Sequence, residues 1–268
     1  MAITTLQQVV NGILPSRPTG KIGLNDAQTI PPRCSFAGGS AGFPTAGGYS
    51  GAAGGAALTN TSPGALPFNN PTTGQNTYVA RMKWPHFIGI RTIFLVDLLW
   101  SKTISATSIL PQGIDSIPFP ARDRNGTSNG DGVYIAIHSY SSNGSGVDAL
   151  ISYTNSVGVS GRAGNMIWQN ISAQSGVFMP FSLAEGDLGV RSVQSVTLSA
   201  AAGSASLALV AFRPITSIFS YETNTLEQLG DAVSFAMPRL YDSSCLTLMY
   251  HGPSTITPNH GIIEFTQG

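Results

Sequence analysis

Charge is what this sequence has least of. Asp, Glu, Lys and Arg supply 10% of its 268 residues, where roughly a quarter is usual in a soluble domain, so a free monomer has little charge to hold it in solution. Burial of surface in an assembly is the expectation that follows. The signs also cancel: thirteen basic residues balance thirteen acidic ones, and no net field draws the chain toward nucleic acid or an anionic membrane surface. Neither is expected as a partner. Lysine is scarce, with Lys21, Lys83 and Lys102 beside ten arginines, and arginine is the cation better suited to partly buried or interfacial pairing.

Cysteine is limited to Cys34 and Cys245. Their contexts differ and form neither a C-x-x-C pair nor a disulfide framework, so two free thiols are expected. The opening MAITTLQQVVNGILPSRPTGK has no basic n-region and its apolar residues are broken by Gln and Asn, which predicts no signal peptide. The most apolar run, Phe87 to Trp100, contains Arg91 and Asp97 and falls short of the ~20 residues a membrane helix needs.

What is abundant is turn chemistry and apolar material: 31 Gly, 17 Pro and 42% hydrophobic residues. The length suits one large β domain with extensions, or two smaller domains. Near the start, Leu6, Val9, Val10 and Ile13 recur at helical spacing and Thr5 and Gln8 stand at capping-box distance, predicting a short amphipathic helix over 5–14 that Pro15 and Pro18 end. The Gly/Ala tract over 37–57 has no periodicity and reads as an arm or linker that a neighbouring surface would have to order. From Thr77 onward, short β-branched and aromatic stretches alternate with Gly, Asn, Ser and Pro. Strands are predicted at about 77–84, 88–100, 103–109, 132–140, 147–154, 163–171, 190–200 and 204–213, a pattern favouring two packed antiparallel sheets. Val193, Val196 and Leu198 break strict alternation, which predicts a bulge, and Ala202-Gly203 reads as a hairpin turn between the last two strands. Leu226, Leu229 and Val233, with Thr225 and Gln228 at capping distance, predict a short helix within 223–233. The domain reading is therefore an arm over 1–75, a β-sandwich core over 76–213 and a β-rich C-terminal extension over 214–268 that completes the sandwich or an interface.

Reactive constellations are few. Gly38-Gly39-Ser40-Ala41-Gly42 matches the nucleophile-elbow pattern but lacks the strand and helix that must flank it. His86, His138, His251 and His260 stand singly, and a meeting of His251 with His260 across a hairpin would still lack a third zinc ligand. Paired carboxylates need two acids converging across a cleft, and the four Glu, Glu185, Glu222, Glu227 and Glu264, all lie in or beside predicted turns, helix or tail. Tyr134, Tyr140, Tyr153 and Trp168 could stack on sugars, yet at strand spacing they read first as core or interface. The most suggestive string puts oxygen-bearing side chains at Asp123, Asn125, Thr127, Asn129 and Asp131, the alternation of a calcium loop. It departs from an EF-hand at Ser128, where Gly belongs, and at Tyr134, where the bidentate Glu belongs. The preferred reading is a β-connection whose Asn-Gly and Asp-Gly steps supply positive φ and whose Asp123 and Asn129 cap their own turns. No catalytic residue, cofactor site or metal site is predicted.

The strings PARDRNGTSNGDGVYIAI, ISYTNSVGVSGRAG and AEGDLGVRSVQSVTLSA resemble segments of a recurrent group of tailed-bacteriophage structural proteins, over roughly residues 76–213. The opening ITTLQQVV and the closing EFTQG are similar to that group as well. The resemblance implies a virion component that decorates or cements the capsid, a β-sandwich of jelly-roll-like topology, a homotrimer, and the major capsid protein and other virion proteins as partners. It carries over no catalytic residue. A tail, neck or fibre component of the virion is the alternative, and a carbohydrate-binding adhesin module using loops 140–147 and 155–163 is a second.

Overall fold

The computed structural model describes residues 17–21, 33–36, 49–66, 69–84, 91–140, 144–168, 172–173, 176–220, 228–231, 236–252 and 259–268. Eighteen strands and no helix lie among them. The helix expected over 5–14 falls outside the described residues.

Two long strands organise the fold. β5 (Arg91–Ile104) and β14 (Leu207–Ser220) pair antiparallel from Leu207↔Ile104 to Ser220↔Arg91. The register shifts between Pro214 and Thr216, where proline has no N–H to give the ladder. Beyond β14 come β7 (Tyr134–Ser139), β12 (Val177–Pro180), β2 (Arg33–Phe36) and β17 (Cys245–Gly252), and β17 returns to β5. Six strands thus close a ring, and the short β3 (Ala56–Ala57) pairs with β5 beside it.

Alternation decides what each strand face meets. On β14, Ala208, Val210 and Phe212 turn toward one cluster with Val96, Leu98, Ala136, Phe178, Cys245 and Met249. These residues come from five strands of the ring and fill its interior. The intervening Leu207, Leu209 and Ala211 turn outward into a second cluster. Strands buried on both faces need apolar residues at nearly every position. That is why LALVAF and the run ending at Trp100 look so hydrophobic.

Two further sheets cover the outside of the ring. One runs β10 (Arg162–Met166), β9 (Ala149–Asn155), β13 (Val190–Leu198) and β6 (Gln112–Gly113). It packs Ile151, Tyr153, Met166, Val193, Val196 and Leu198 against Ile135, Ile137, Leu207 and Leu209. The other runs β1 (Arg17–Lys21), β18 (Asn259–Gln267), β4 (Thr77–Trp84) and β15 (Gln228–Asp231), with β16 (Arg239–Leu240) also on β4. It sets Val79, Met82, Ile263 and Phe265 against Ile93, Leu95, Leu246 and Leu248. A small pair, β8 (Gly144–Ser145) with β11 (Ser172–Ala173), stands apart. The chain is mostly β and antiparallel, as expected.

The bulge expected near Val193 is present as register shifts between Val190 and Ser192 and between Val193 and Ser195. Three expectations are corrected. Gln228–Asp231 is not helical but forms an edge strand on β4, from Gln228↔Trp84 to Asp231↔Arg81. The turn at Ala202-Gly203 does not close a hairpin: β13 pairs with β9 and β6, whereas β14 pairs with β5 and β7, so the connection crosses from one sheet to the other. Residues 49–66, assigned to the arm, are built into the core, with Tyr49, Leu58 and Leu66 buried. Gly55 explains how a glycine tract does this. It has φ +72°, and a Cβ there would sit 2.4 Å from the Trp100 indole, so the chain lies flat on the ring while Trp100 Nε1 donates to the Gly54 carbonyl at 2.9 Å.

The C-terminal residues supply strands to two of the sheets. β17 belongs to the ring and β18 to the sheet outside it.

Candidate functional site

The calcium-like string is brought together, around one side chain. Asp123 is buried, and its Oδ1 accepts the N–H groups of Asn125 and Thr127 at 2.9 and 2.7 Å. Its Oδ2 accepts Thr127 Oγ1 at 2.7 Å and the N–H groups of Gly130 and Asp131 at 3.0 and 3.2 Å. Five donors therefore converge on the oxygens that a cation would need. Asn125 Nδ2 in turn donates to Asp131 Oδ2 at 3.0 Å, and the Asn129 N–H to Thr127 Oγ1 at 3.3 Å. Burial raises the Asp123 pKa, but the Thr127 hydroxyl and the N–H groups of Thr127, Asn125 and Asp131 outweigh it and hold the carboxyl below its ordinary value. Such an arrangement caps a loop from within.

The loop depends on its glycines. Gly126 (φ +74°) lies against the Tyr241 ring, 2.5 Å from where a Cβ would be, and Gly130 (φ +83°) would place a Cβ 2.0 Å from the Val190 carbonyl oxygen. Gly130→Ala therefore meets both positive φ and fixed backbone. We expect it to cost about 2 kcal/mol or more, read from chemical denaturation, and a loss under about 0.5 kcal/mol would show that the loop is not seated on β13 as described.

A charged centre that sequence reading missed lies where the three clusters meet. Asp97 on β5 and Arg213 on β14 are register partners, and Arg122 reaches in from the preceding loop. Arg122 Nε stands 3.4 Å and Arg213 Nη2 3.8 Å from Asp97 Oδ2. Ser244 Oγ donates to Oδ2 at 2.7 Å and the Cys245 N–H to Oδ1 at 2.9 Å. Arg122 also donates to the carbonyls of Ser243, Leu58 and Leu98, tying loop, N-terminal segment and ring together. The Arg213 guanidinium lies 5.2 Å from the Tyr241 ring centroid. Burial pushes the Asp97 carboxyl up against the pull of both arginines. Burial and the nearby Asp97 push the Cys245 thiol up to about 12, so it is a thiol and not a thiolate at neutral pH. One signal was available: Asp97 and Arg213 are single charges inside otherwise apolar runs.

Inside the ring, Tyr49 Oη and His138 Nδ1 lie 2.5 Å apart, with Phe178 and Tyr140 beside the imidazole. Burial lowers the His138 pKa to about 3.

A second polar hub holds one end of the outer four-stranded sheet. Asp187 accepts from Tyr153 Oη at 2.6 Å, Asn155 Nδ2 at 2.7 Å and Arg162 Nε at 2.9 Å. Burial raises its pKa, but the bonds from Arg162, Tyr153 and Asn155 prevail and bring it to about 2. The aromatics read first as core or interface divide between the two. Tyr153 and Trp168 are in the core, and Tyr134 and Tyr140 are half-buried at the edge of the ring cluster. The side chains of His251 and His260 lie outside the described residues. Among the described residues, no group of three or more His, Cys, Asp or Glu is placed to share a metal ion, and no helix is long and apolar enough to cross a membrane.

No protein-family model and no curated protein matches the chain. Among solved structures it is similar to the infectious bursal disease virus VP2 subviral particle, at 13% identity over 94% of this chain and 79% of that one, with a TM-score of 0.18. It is also similar to the structure of the Gt strain of infectious bursal disease virus, at 12% identity over 94% and 80%, with a TM-score of 0.17. At such TM-scores the likeness defines neither fold nor function.

Proposed function

We propose that this chain is a non-enzymatic virion structural protein that decorates or cements the capsid of a tailed bacteriophage. It binds the major capsid protein and other virion proteins as a homotrimer, without nucleic acid or membrane as a partner. Beyond the resemblance of its β strings to that group, one observation carries the reading. On a surface with few charges, large aliphatic side chains stand in solvent, among them Val157 at 80%, Leu110 at 70% and Leu188 at 66% exposure. Exposed aliphatics that cluster on a neutral surface mark contacts with other proteins. A jelly-roll-like sandwich belongs to the same proposal.

In this role the chain contributes area. Each bound trimer adds interface between capsomers, and expanding or bursting the shell must then re-expose that area to water. Quantitative mass spectrometry of purified particles is the test, with the copy number expected to approach that of the major capsid protein. A few copies per particle would overturn decoration and favour a tail, neck or fibre component. Glycan-array binding by the isolated protein would favour an adhesin module instead.

A further inference from the structure

The loop that begins at Asp123 packs reactive steps into one short stretch: Asn125-Gly126, Asn129-Gly130 and Asp131-Gly132. In an unfolded chain such a step rearranges unaided. The glycine nitrogen, giving up its proton, attacks Cγ of the preceding Asn; a C–N bond forms, ammonia leaves carrying that proton, and a cyclic imide remains, which water opens to aspartate or isoaspartate. Asparagine is a thermolabile residue, and glycine is the most permissive follower, since no side chain restricts the approach of its nitrogen. At Asp131 the same closure expels water instead of ammonia. Burial does not spare the asparagines, because Asn125 and Asn129 are both exposed.

The folded loop blocks the attacking atom at every step. The Gly126 N–H donates to the Asp123 carbonyl at 3.1 Å and the Gly132 N–H to the Leu188 carbonyl at 3.0 Å. The Gly130 N–H donates to Asp123 Oδ2 at 3.0 Å. A nitrogen whose proton is held by an acceptor gives it up less readily, and beside a carboxylate least of all, because the amide anion would form next to a negative charge. Nor can these nitrogens swing toward the side chain. The glycines sit at φ +74°, +83° and +68°, with the Tyr241 ring against Gly126 and the Val190 carbonyl against Gly130. At Asn125 the electrophile is fixed as well, since its Nδ2 donates to Asp131 Oδ2 at 3.0 Å.

We infer that Asp123 guards the loop against its own chemistry: its carboxylate holds the Gly130 nitrogen and its carbonyl the Gly126 nitrogen, so that Asn129 and Asn125 do not close to imides while the protein is folded. The turn residues that give the loop its shape are those that would otherwise degrade it, and one buried side chain answers both needs. This role does not depend on the proposed function and holds for the isolated chain.

The test incubates full-length protein at mildly alkaline pH, native and in urea, and follows aspartate and isoaspartate at each site by peptide mass spectrometry. In the parent protein both asparagines should react roughly a hundredfold more slowly native than in urea, as expected when reaction waits on rare opening of the loop. Asp123→Ala removes the acceptor of Gly130 and leaves the backbone carbonyl that holds Gly126. Native Asn129 should then speed up about tenfold or more, the worth of one charge-assisted hydrogen bond, and Asn125 should speed up less. Thr127→Val removes the hydroxyl that donates to Oδ2 but leaves Gly130 on the carboxylate, so Asn129 should stay slow; this variant and the parent decide the matter if Asp123→Ala does not fold. Equal native and urea rates in the parent would overturn the guard. So would a folded Asp123→Ala protein in which both sites speed up alike, or a folded Thr127→Val protein in which Asn129 reacts as fast as in urea, because general loosening of the loop would then account for the rates.

Discussion

Asp97→Ala should cost about 3–5 kcal/mol of folding stability, the range for removing one partner of a buried ion pair. Asp97 is fully buried and Arg122 and Arg213 are nearly so, and the three carry one negative and two positive charges. Removing the carboxylate leaves two cations near one another in the interior, and it strips Ser244 Oγ and the Cys245 N–H of their acceptor. Arg213→Met should cost less, since Arg122 and Asp97 then remain as a neutral pair and Arg122 keeps its carbonyl partners. Urea denaturation at neutral pH gives both values. Equal losses would mean that the packing of Arg213 on Tyr241, and not charge balance, dominates at this junction.

The same residues show how far the sequence could be read. The long strands were legible where they alternate or run apolar, although 103–109, read as a strand of its own, begins as the end of β5 (Arg91–Ile104). β4 occupies Thr77–Trp84, where the pattern placed it, and the irregular valines of β13 coincide with its register shifts. Pairing partners were less legible, since neighbours in sequence need not be neighbours in a sheet. Leu198 and Leu207 lie nine positions apart and suggest a hairpin, yet both point into the same cluster from facing sheets. At Leu229 the helical spacing gave way to an available edge on β4, because tertiary pairing outweighs a one-turn pattern. In the glycine tract, composition suggested freedom. The structure uses Gly55 for close approach instead, where a side chain would strike Trp100.

For the candidate site, the string from Asp123 to Asp131 was visible as chemistry, but its donors could not be counted without coordinates. Asp123 could have faced a cation or its own backbone, and it faces N–H groups. The Asp97 centre was visible only as single charges in apolar runs, whose partners lie far away in the chain. The exposed aliphatics were invisible for another reason: exposure of an aliphatic residue depends on which face of a twisted sheet remains uncovered.

Acid should destabilise this protein well above the carboxylate range, and His138 should be the cause. Its imidazole is fully buried inside the ring, and burial lowers its pKa from the ordinary 6.5 to about 3. A base with a depressed folded-state pKa binds fewer protons folded than unfolded between those two values. Its neutral form therefore keeps full stability above about pH 6.5, and stability falls by about 1.4 kcal/mol per pH unit as pH drops from there toward 3. By pH 4.5 the loss from this one group reaches about 2.7 kcal/mol. Asp187, with a pKa of about 2, keeps its contribution above about pH 4 and loses it as pH falls further, so it does not mimic the effect. Asp97, raised by burial, acts with the opposite sign, which makes the total slope a poor readout. The difference between the parent and His138→Gln is the better one, because the variant keeps an acceptor within reach of Tyr49 and cannot titrate. Folding free energies from urea titrations at pH 8, 6.5, 5.5 and 4.5 should diverge steadily below pH 6.5, with the parent falling faster. Parallel profiles would show that His138 is not held neutral, and the ring interior would then have to be wet enough to accept its charge.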